Sequence, residues 1–151
     1  MDTECTCSAL RMAARRLSQA YDAALAPEGL TVSQYALLGN LAKREGAGPP
    51  TVGDLADVLS LDRTTLTHNL RPLERDGFVA LVADAGDRRV RRVVLTPEGR
   101  VKRERCLPLW RAVQDRFDDE FGAAASRALR TSLLAIARCA EAAPPPDVDK
   151  D

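Results

Sequence analysis

Leu10, Ala14, Leu17, Tyr21 and Leu25 recur every three or four positions, the spacing that stacks side chains on one face of an α-helix. Arg15, Arg16, Gln19 and Asp22 fall mainly elsewhere on the surface, so residues 8–25 are predicted to form an amphipathic helix that "APEGL" ends. Thr31 opens a second helix. Thr31 and Gln34 have the spacing of a capping box, and Tyr35, Leu38 and Leu41 share a face. "REGAGPP" is a loop. A short third helix runs from Thr51 to Leu59, with Asp54 as the reciprocal cap and Leu55 and Leu59 inward. Asp62 begins a fourth, to about Asp76, with Leu66, Leu70 and Leu73 as its buried stripe and Gly77 as its stop. Pro72 inside it removes a hydrogen bond and predicts a bend or a loosened last turn.

The period then changes. "FVALVAD" and "RRVRRVVL" are rich in Val, Leu and Phe, and "AGD" lies between them. This is a hairpin signal, with Gly86 available for a positive φ and Arg88, Arg89, Arg91 and Arg92 at the start of the returning strand. Thr96 suits an N-cap and Pro97 the first position of a fifth helix, running to about Phe121 and interrupted at Pro108. A sixth covers 123–142, with Leu129, Leu133, Ile136 and Ala140 on one side. Residues 143–151 read as a disordered tail by composition. The predicted class is mainly α with a small β-hairpin wing. A winged helix-turn-helix lobe (30–99) and a helical dimerisation region (8–29 and 97–142) share a single domain spanning 1–151. No repeat of 20 to 50 residues is visible.

A chain of 151 residues, 45% hydrophobic, is long enough to bury a core. No run of about 18 apolar residues suggests a membrane span. The N-terminal "MDTECTCSAL" lacks the basic and greasy segments of a secretory signal, so the expected compartment is the cytoplasm. There, four cysteines are poor candidates for a disulfide framework. The 22 basic and 22 acidic side chains cancel, yet they are sorted. Residues 62–105 hold eleven Arg and Lys against seven Asp and Glu, while 141–151 hold four acids and one lysine. Charge alone fits a phosphate-binding patch and a solvated face equally well.

The fourth helix decides in favour of DNA. With its leucine stripe inward, its other face holds Thr64, Thr67, His68, Arg71 and Arg75, and Arg63 and Thr65 join them at its start. Short hydroxyls let the backbone approach base edges, threonine contacts a thymine methyl or a phosphate, and arginine forks onto guanine O6 and N7. A hairpin after a helix-turn-helix can place its tip at the adjacent minor groove, which attracts inserted arginine. Asp87 is then expected to brace Arg89 by a bidentate ion pair. A winged helix that docks protein is the alternative, and it calls for an apolar patch where this helix has threonine and arginine. An enzyme is not expected. The lone His68 has no acid at helical spacing, and the chain has no Gly-rich phosphate loop or nucleophile elbow. No cofactor and no metal centre is expected.

"TVGDLADVLSLDRTTLTHNLRPLERDGFV" followed by "GDRRVRRVVLTPEG" resembles the MarR family of bacterial transcription regulators. Asp87-Arg88-Arg89, Leu95-Thr96 and Gly99 sit where that family's wing motif has them, and the resemblance runs from the first helix to the sixth. It implies an obligate homodimer with the first, fifth and sixth helices intertwined. It also implies two winged lobes spread over a pseudo-palindromic double-stranded operator, with the wing contact carried by Asp87 and Arg89. Independently, Leu107, Leu109, Trp110, Val113 and Phe117, with Leu129, Leu133, Leu134 and Ile136, are more apolar surface than one small lobe needs.

The resemblance also implies a regulator, most often a repressor, that responds to a small molecule or to oxidation. Family members bind small aromatic or phenolic anions between the dimer region and the DNA-binding lobe. Tyr21, Tyr35 and Trp110, with Arg11 or Arg15, are candidates to line such a crevice. The rival is a thiol switch. Cys5 and Cys7 lie just before the first helix, where a thiolate gains stability, and Cys106 of a second subunit is a candidate partner. The Cys-x-Cys pair could instead hold a soft metal such as Cu(I), though two ligands are too few for structural zinc. A thiol or metal sensor without specific DNA binding is thus a further alternative. So is a plain reading in which Cys106 and Cys139 are core residues.

Overall fold

The computed structural model describes residues 5–44 and 46–142. The expected disordered tail, 143–151, lies outside them. The elements are α1 (Thr6–Leu25), a 3₁₀ turn (Ala26–Glu28), α2 (Val32–Lys43), α3 (Val52–Leu59), α4 (Arg63–Arg75), β1 (Val79–Ala83), β2 (Arg91–Leu95), α5 (Pro97–Phe121) and α6 (Ala123–Ala142). One compact unit ends at Arg111 and a second begins at Ala112.

Local signals set most helix starts. Thr31 and Gln34 close a capping box on α2, and Thr51 and Asp54 close one on α3. Asp22 reaches α2 as well, its carboxylate accepting from the Val32 N–H at 2.7 Å. Asp62 caps α4 by accepting from the Thr65 N–H at 2.9 Å. At the other end Gly77, at φ 76°, closes a left-handed stop in which the Phe78 N–H returns to the Leu73 carbonyl. Each such cap contributes about 1 kcal/mol.

The core of the first unit gathers Leu25, Tyr35, Leu37, Leu38, Leu41, Leu55, Leu66, Leu70, Leu73, Val79, Val93 and Leu95. Leu37, which the spacing did not pick out, is fully buried because α2 is covered on more than one face.

The interruption expected at Pro108 is corrected, since α5 runs through it unbroken, and α4 continues past Pro72 to Arg75 as its leucine spacing predicts. A proline removes one rung of the ladder, and Glu104, whose carbonyl Pro108 leaves without that rung, is an exposed residue.

β1 and β2 pair antiparallel, Val79 opposite Leu95 and Ala83 opposite Arg91. The other edge of β2 is also occupied. The Val93 N–H donates to the Pro50 carbonyl at 2.9 Å, and Thr51 bridges to Arg92.

The wing ends in a clasp. The Thr96 hydroxyl donates to the Gly77 carbonyl at 2.7 Å and accepts the Gly99 N–H at 3.0 Å, while the Thr96 N–H donates to the Phe78 carbonyl. One residue thus joins the end of α4, the end of β2 and the start of α5. Nearby, Glu28 of the 3₁₀ turn pairs with Lys102 at 2.9 Å and Arg105 at 3.0 Å, tying the α1–α2 connection to α5.

In the second unit Phe117 stacks on Phe121 at 5.2 Å, and Arg130 holds the buried Ser126 hydroxyl at 2.7 Å. Leu133, Leu134 and Ile136 of α6 are exposed in the single chain.

Candidate nucleic-acid interface

α4 buries Leu66, Leu70 and Leu73 at 0%, 2% and 1% exposure, so the rest of its circumference is determined. Arg63, Thr64, Thr67, His68 and Arg71 line one shallow depression on the exposed face, and none is acidic. Glu74 is exposed further along the helix. The hydroxyls differ in what they have left to offer. The Thr65 Oγ1 donates to the Asp62 Oδ2 at 2.6 Å and belongs to the cap. The Thr67 Oγ1 donates back to the Arg63 carbonyl at 2.7 Å. Arg75, expected on the free face, forks onto neighbouring Asp76 at 2.7 and 3.1 Å. Hydrogen bonds from Thr65 hold the Asp62 carboxyl below the usual carboxylate range, so the cap is charged at neutral pH.

The wing tip differs from expectation in three ways. β2 begins at Arg91, so Arg88 and Arg89 lie in the 84–90 loop. Gly86 does not take a positive φ. Its N–H and that of Asp87 instead turn back to the Asp84 Oδ1 at 2.8 and 3.2 Å, so a side-chain acceptor makes the turn that a left-handed glycine was expected to make.

Asp87 makes no bidentate pair with Arg89. Its Oδ1 accepts the Arg89 N–H at 2.9 Å and stands 3.9 Å from the Nε, which shapes the backbone and leaves the Arg89 side chain 96% exposed.

The four wing arginines therefore divide. Arg88 and Arg89 are exposed on the loop. Arg91 donates to the Leu81 carbonyl at 3.1 Å, and Arg92 pairs with Asp84. Asp84 went unnoticed in the sequence, although an Asp two residues before a Gly is a turn signature.

Tyr21, Tyr35 and Trp110 do come together. The Trp110 ring lies 6.0 Å from Tyr21 and 6.2 Å from Tyr35. Arg11 and Arg15 instead line an open groove along α1 with Ser8, Met12, Arg16 and Gln19. Beside Tyr35 stands Arg103, which sequence reasoning missed. Among the described residues nothing hydrogen-bonds its buried Nε. Burial raises the Tyr35 pKa, and Arg103 opposes that rise.

The cysteines separate by environment. Cys5 is the exposed N-cap residue of α1, and the Ser8 hydroxyl, then the Ser8 and Cys7 amides, lower its thiol pKa. Cys7 is exposed. Cys106 is fully buried, and burial pushes its thiol up, the nearby Glu28 charge adding to the rise. Cys139 is exposed, which corrects its reading as a core residue. Among the described residues no three His, Cys, Asp or Glu gather as a metal site.

A helix pair whose second helix gathers Arg63, Thr64, Thr67, His68 and Arg71 in one exposed depression, followed by a hairpin with an arginine tip, defines a winged helix-turn-helix transcription regulator. Comparison with known proteins makes the class specific. A model of the MarR family matches residues 28–90. The Mycobacterium tuberculosis transcriptional regulator MosR, in complex with DNA, is 39% identical, with a TM-score of 0.81 over 92% of this chain and 98% of MosR. The chain belongs to the MarR family. The transcriptional repressor CouR of Rhodococcus jostii RHA1, bound to a 23-mer DNA duplex, is 28% identical with a TM-score of 0.79, covering 89% of this chain and 94% of CouR. The transcriptional activatory protein BadR of Rhodopseudomonas palustris is 47% identical over 77 residues, 51% of this chain and 44% of BadR. The chain thus spans about half the length of the curated relatives it matches. Among the described residues no helix is long and apolar enough to cross a membrane.

Proposed function

We propose that the protein is a sequence-specific regulator working in the cytoplasm as a homodimer on a pseudo-palindromic operator, with α4 in the major groove and the wing tip at the minor groove. The observation that carries this reading is the depression of Arg63, Thr64, Thr67, His68 and Arg71, which offers guanidinium and imidazole donors with no acid among them. The exposed Leu133, Leu134 and Ile136 support a second copy, since several large apolar side chains left open on one helix mark a surface that a partner covers. Repression is the mode proposed. CouR is named a repressor and BadR an activator, so relatives of both kinds exist.

The test is an anisotropy titration against duplexes tiling the DNA upstream of its own gene, at two salt concentrations under reducing conditions. One tile is expected to bind on the order of 10³-fold more tightly than the rest, with affinity falling steeply in salt. Uniform, salt-insensitive weakness would support the protein-docking alternative.

Release by thiol oxidation is the second reading, favoured by the exposure of Cys5 and Cys7 and the lowered pKa of Cys5. Peroxide would take the Cys5 thiolate to a sulfenic acid with loss of hydroxide. Condensation with a second thiol would then give a disulfide and water. A Cys5→Ser/Cys7→Ser variant is expected to bind DNA as tightly as wild type when reduced and to hold it in peroxide, where wild type lets go. Equal responses would remove that pair from the switch. Release by a small aromatic acid has its own support in the Tyr21–Trp110–Tyr35 cluster and the unpartnered Nε of Arg103.

A further inference from the structure

The wing tip carries two exposed arginines on a seven-residue loop whose own backbone bonds are few. The Asp84 N–H donates to the Val90 carbonyl and the Val90 N–H to the Asp87 carbonyl, each at 2.9 Å. Two side chains supply the rest: Asp87 accepts the Arg89 N–H at 2.9 Å within the tip, and Asp84 ties the base of the tip to the body. Asp84, 19% exposed, accepts the Gly86 and Asp87 amides on Oδ1 and pairs with the Arg92 Nε through Oδ2. Arg92 donates its Nη1 to the Pro49 carbonyl at 2.8 Å, in the loop that leads into α3. A continuous chain of polar contacts thus runs from the helix-turn-helix through Arg92 and Asp84 to the amides at the base of the tip.

We propose that Asp84 is the positioning residue of the wing, holding the 84–90 loop in the shape that presents Arg88 and Arg89 to DNA. This rests on the reading of the tip as a DNA contact.

Without the carboxylate, the Gly86 and Asp87 amides would turn to water, and Gly86 would give the loop wide backbone freedom. The fold would lose less, because the half-buried Asp84–Arg92 pair lies outside the leucine core that holds the lobe together. Binding would lose more, since each duplex would have to order the loop first. Arg92 and then the two amides also hold the Asp84 carboxyl below its usual range, so it stays charged at neutral pH.

The experiment is a double-mutant cycle read by DNA affinity and by thermal melting. Asp84→Ala is expected to weaken binding about five- to tenfold, with the melting temperature barely moved. In an Arg88→Ala/Arg89→Ala background the same change is expected to cost less than about twofold, because the groups it positions are gone. Asp84→Asn, which keeps the acceptor but loses the charge, should fall between wild type and Asp84→Ala. The full loss recurring in that background would show a general effect on the fold and overturn the proposal. So would an inert Asp84→Ala beside a damaging Arg88→Ala/Arg89→Ala. If neither variant affects binding, the wing reading itself fails.

Discussion

Arg71→Ala is expected to weaken binding to the cognate duplex by about 1–3 kcal/mol, roughly 5- to 150-fold, while leaving weak binding to unrelated duplexes nearly intact. Arg71 lines the exposed depression of α4 with Thr67 and His68, on a helix held rigid by three buried leucines. A guanidinium held there can fork onto one guanine, and a fork reads sequence. Arg89 offers the contrast. Its side chain is 96% exposed on a loop, so the contact proposed for it is one of charge more than of shape. Arg89→Ala should weaken binding to all duplexes alike and lower the slope of log affinity against log salt by about 1. Affinity measured on cognate and scrambled duplexes at several salt concentrations separates the two. Equal and negligible losses from both would sink the assignment of α4 and the wing to DNA.

The second large effect concerns stability. Gly99→Ala is expected to destabilise the protein by about 1–3 kcal/mol or more, out of a total of roughly 5–15 kcal/mol. A Cβ at this position would run into the backbone carbonyl of Phe78 and stand 2.8 Å from the Leu95 Cδ1. That carbonyl is held by the Thr96 N–H, so it cannot swing aside without undoing the start of α5. Gly53→Ala is the control. Its added methyl would meet Thr51 at 3.5 Å and Arg63 at 3.8 Å, ordinary contact, and in α3 alanine gains up to about 1 kcal/mol of helix propensity. Thermal unfolding by circular dichroism should show Gly99→Ala melting roughly 2–4 °C lower per kcal/mol lost, with Gly53→Ala unchanged or slightly higher. Equal melting of the two variants would mean that the α5 start moves freely.

Much of this architecture was legible because its signals are local. Thr31 and Gln34, Thr51 and Asp54, and Thr96 and Pro97 each lie within four residues of one another, and the chemistry that caps a helix depends on little else. The stripe of Leu66, Leu70 and Leu73 likewise follows from helical geometry alone. The misses lie where a contact spans the chain. Arg92 reaches Pro49, 43 residues away, so nothing near it marks it as a brace. In the sequence it is one of four arginines in a basic run. Leu37 falls off the expected stripe because its burial depends on which elements cover α2. Arg103 hides in the same way, as an ordinary cation in a charged helix until Tyr35 is placed beside it. Pro108 did not break α5, since a long helix tolerates one missing rung.

The Thr96 clasp has a consequence for how the protein opens. Its hydroxyl and amide hold the end of α4, the end of the hairpin and the first turn of α5 at one junction, so these parts share a lock. A fluctuation that frays α4 from its C-terminal end must release the hairpin as well, and the two should exchange their amide protons as one cooperative unit. Whatever signal loosens one of the two surfaces proposed to meet DNA would thereby loosen both.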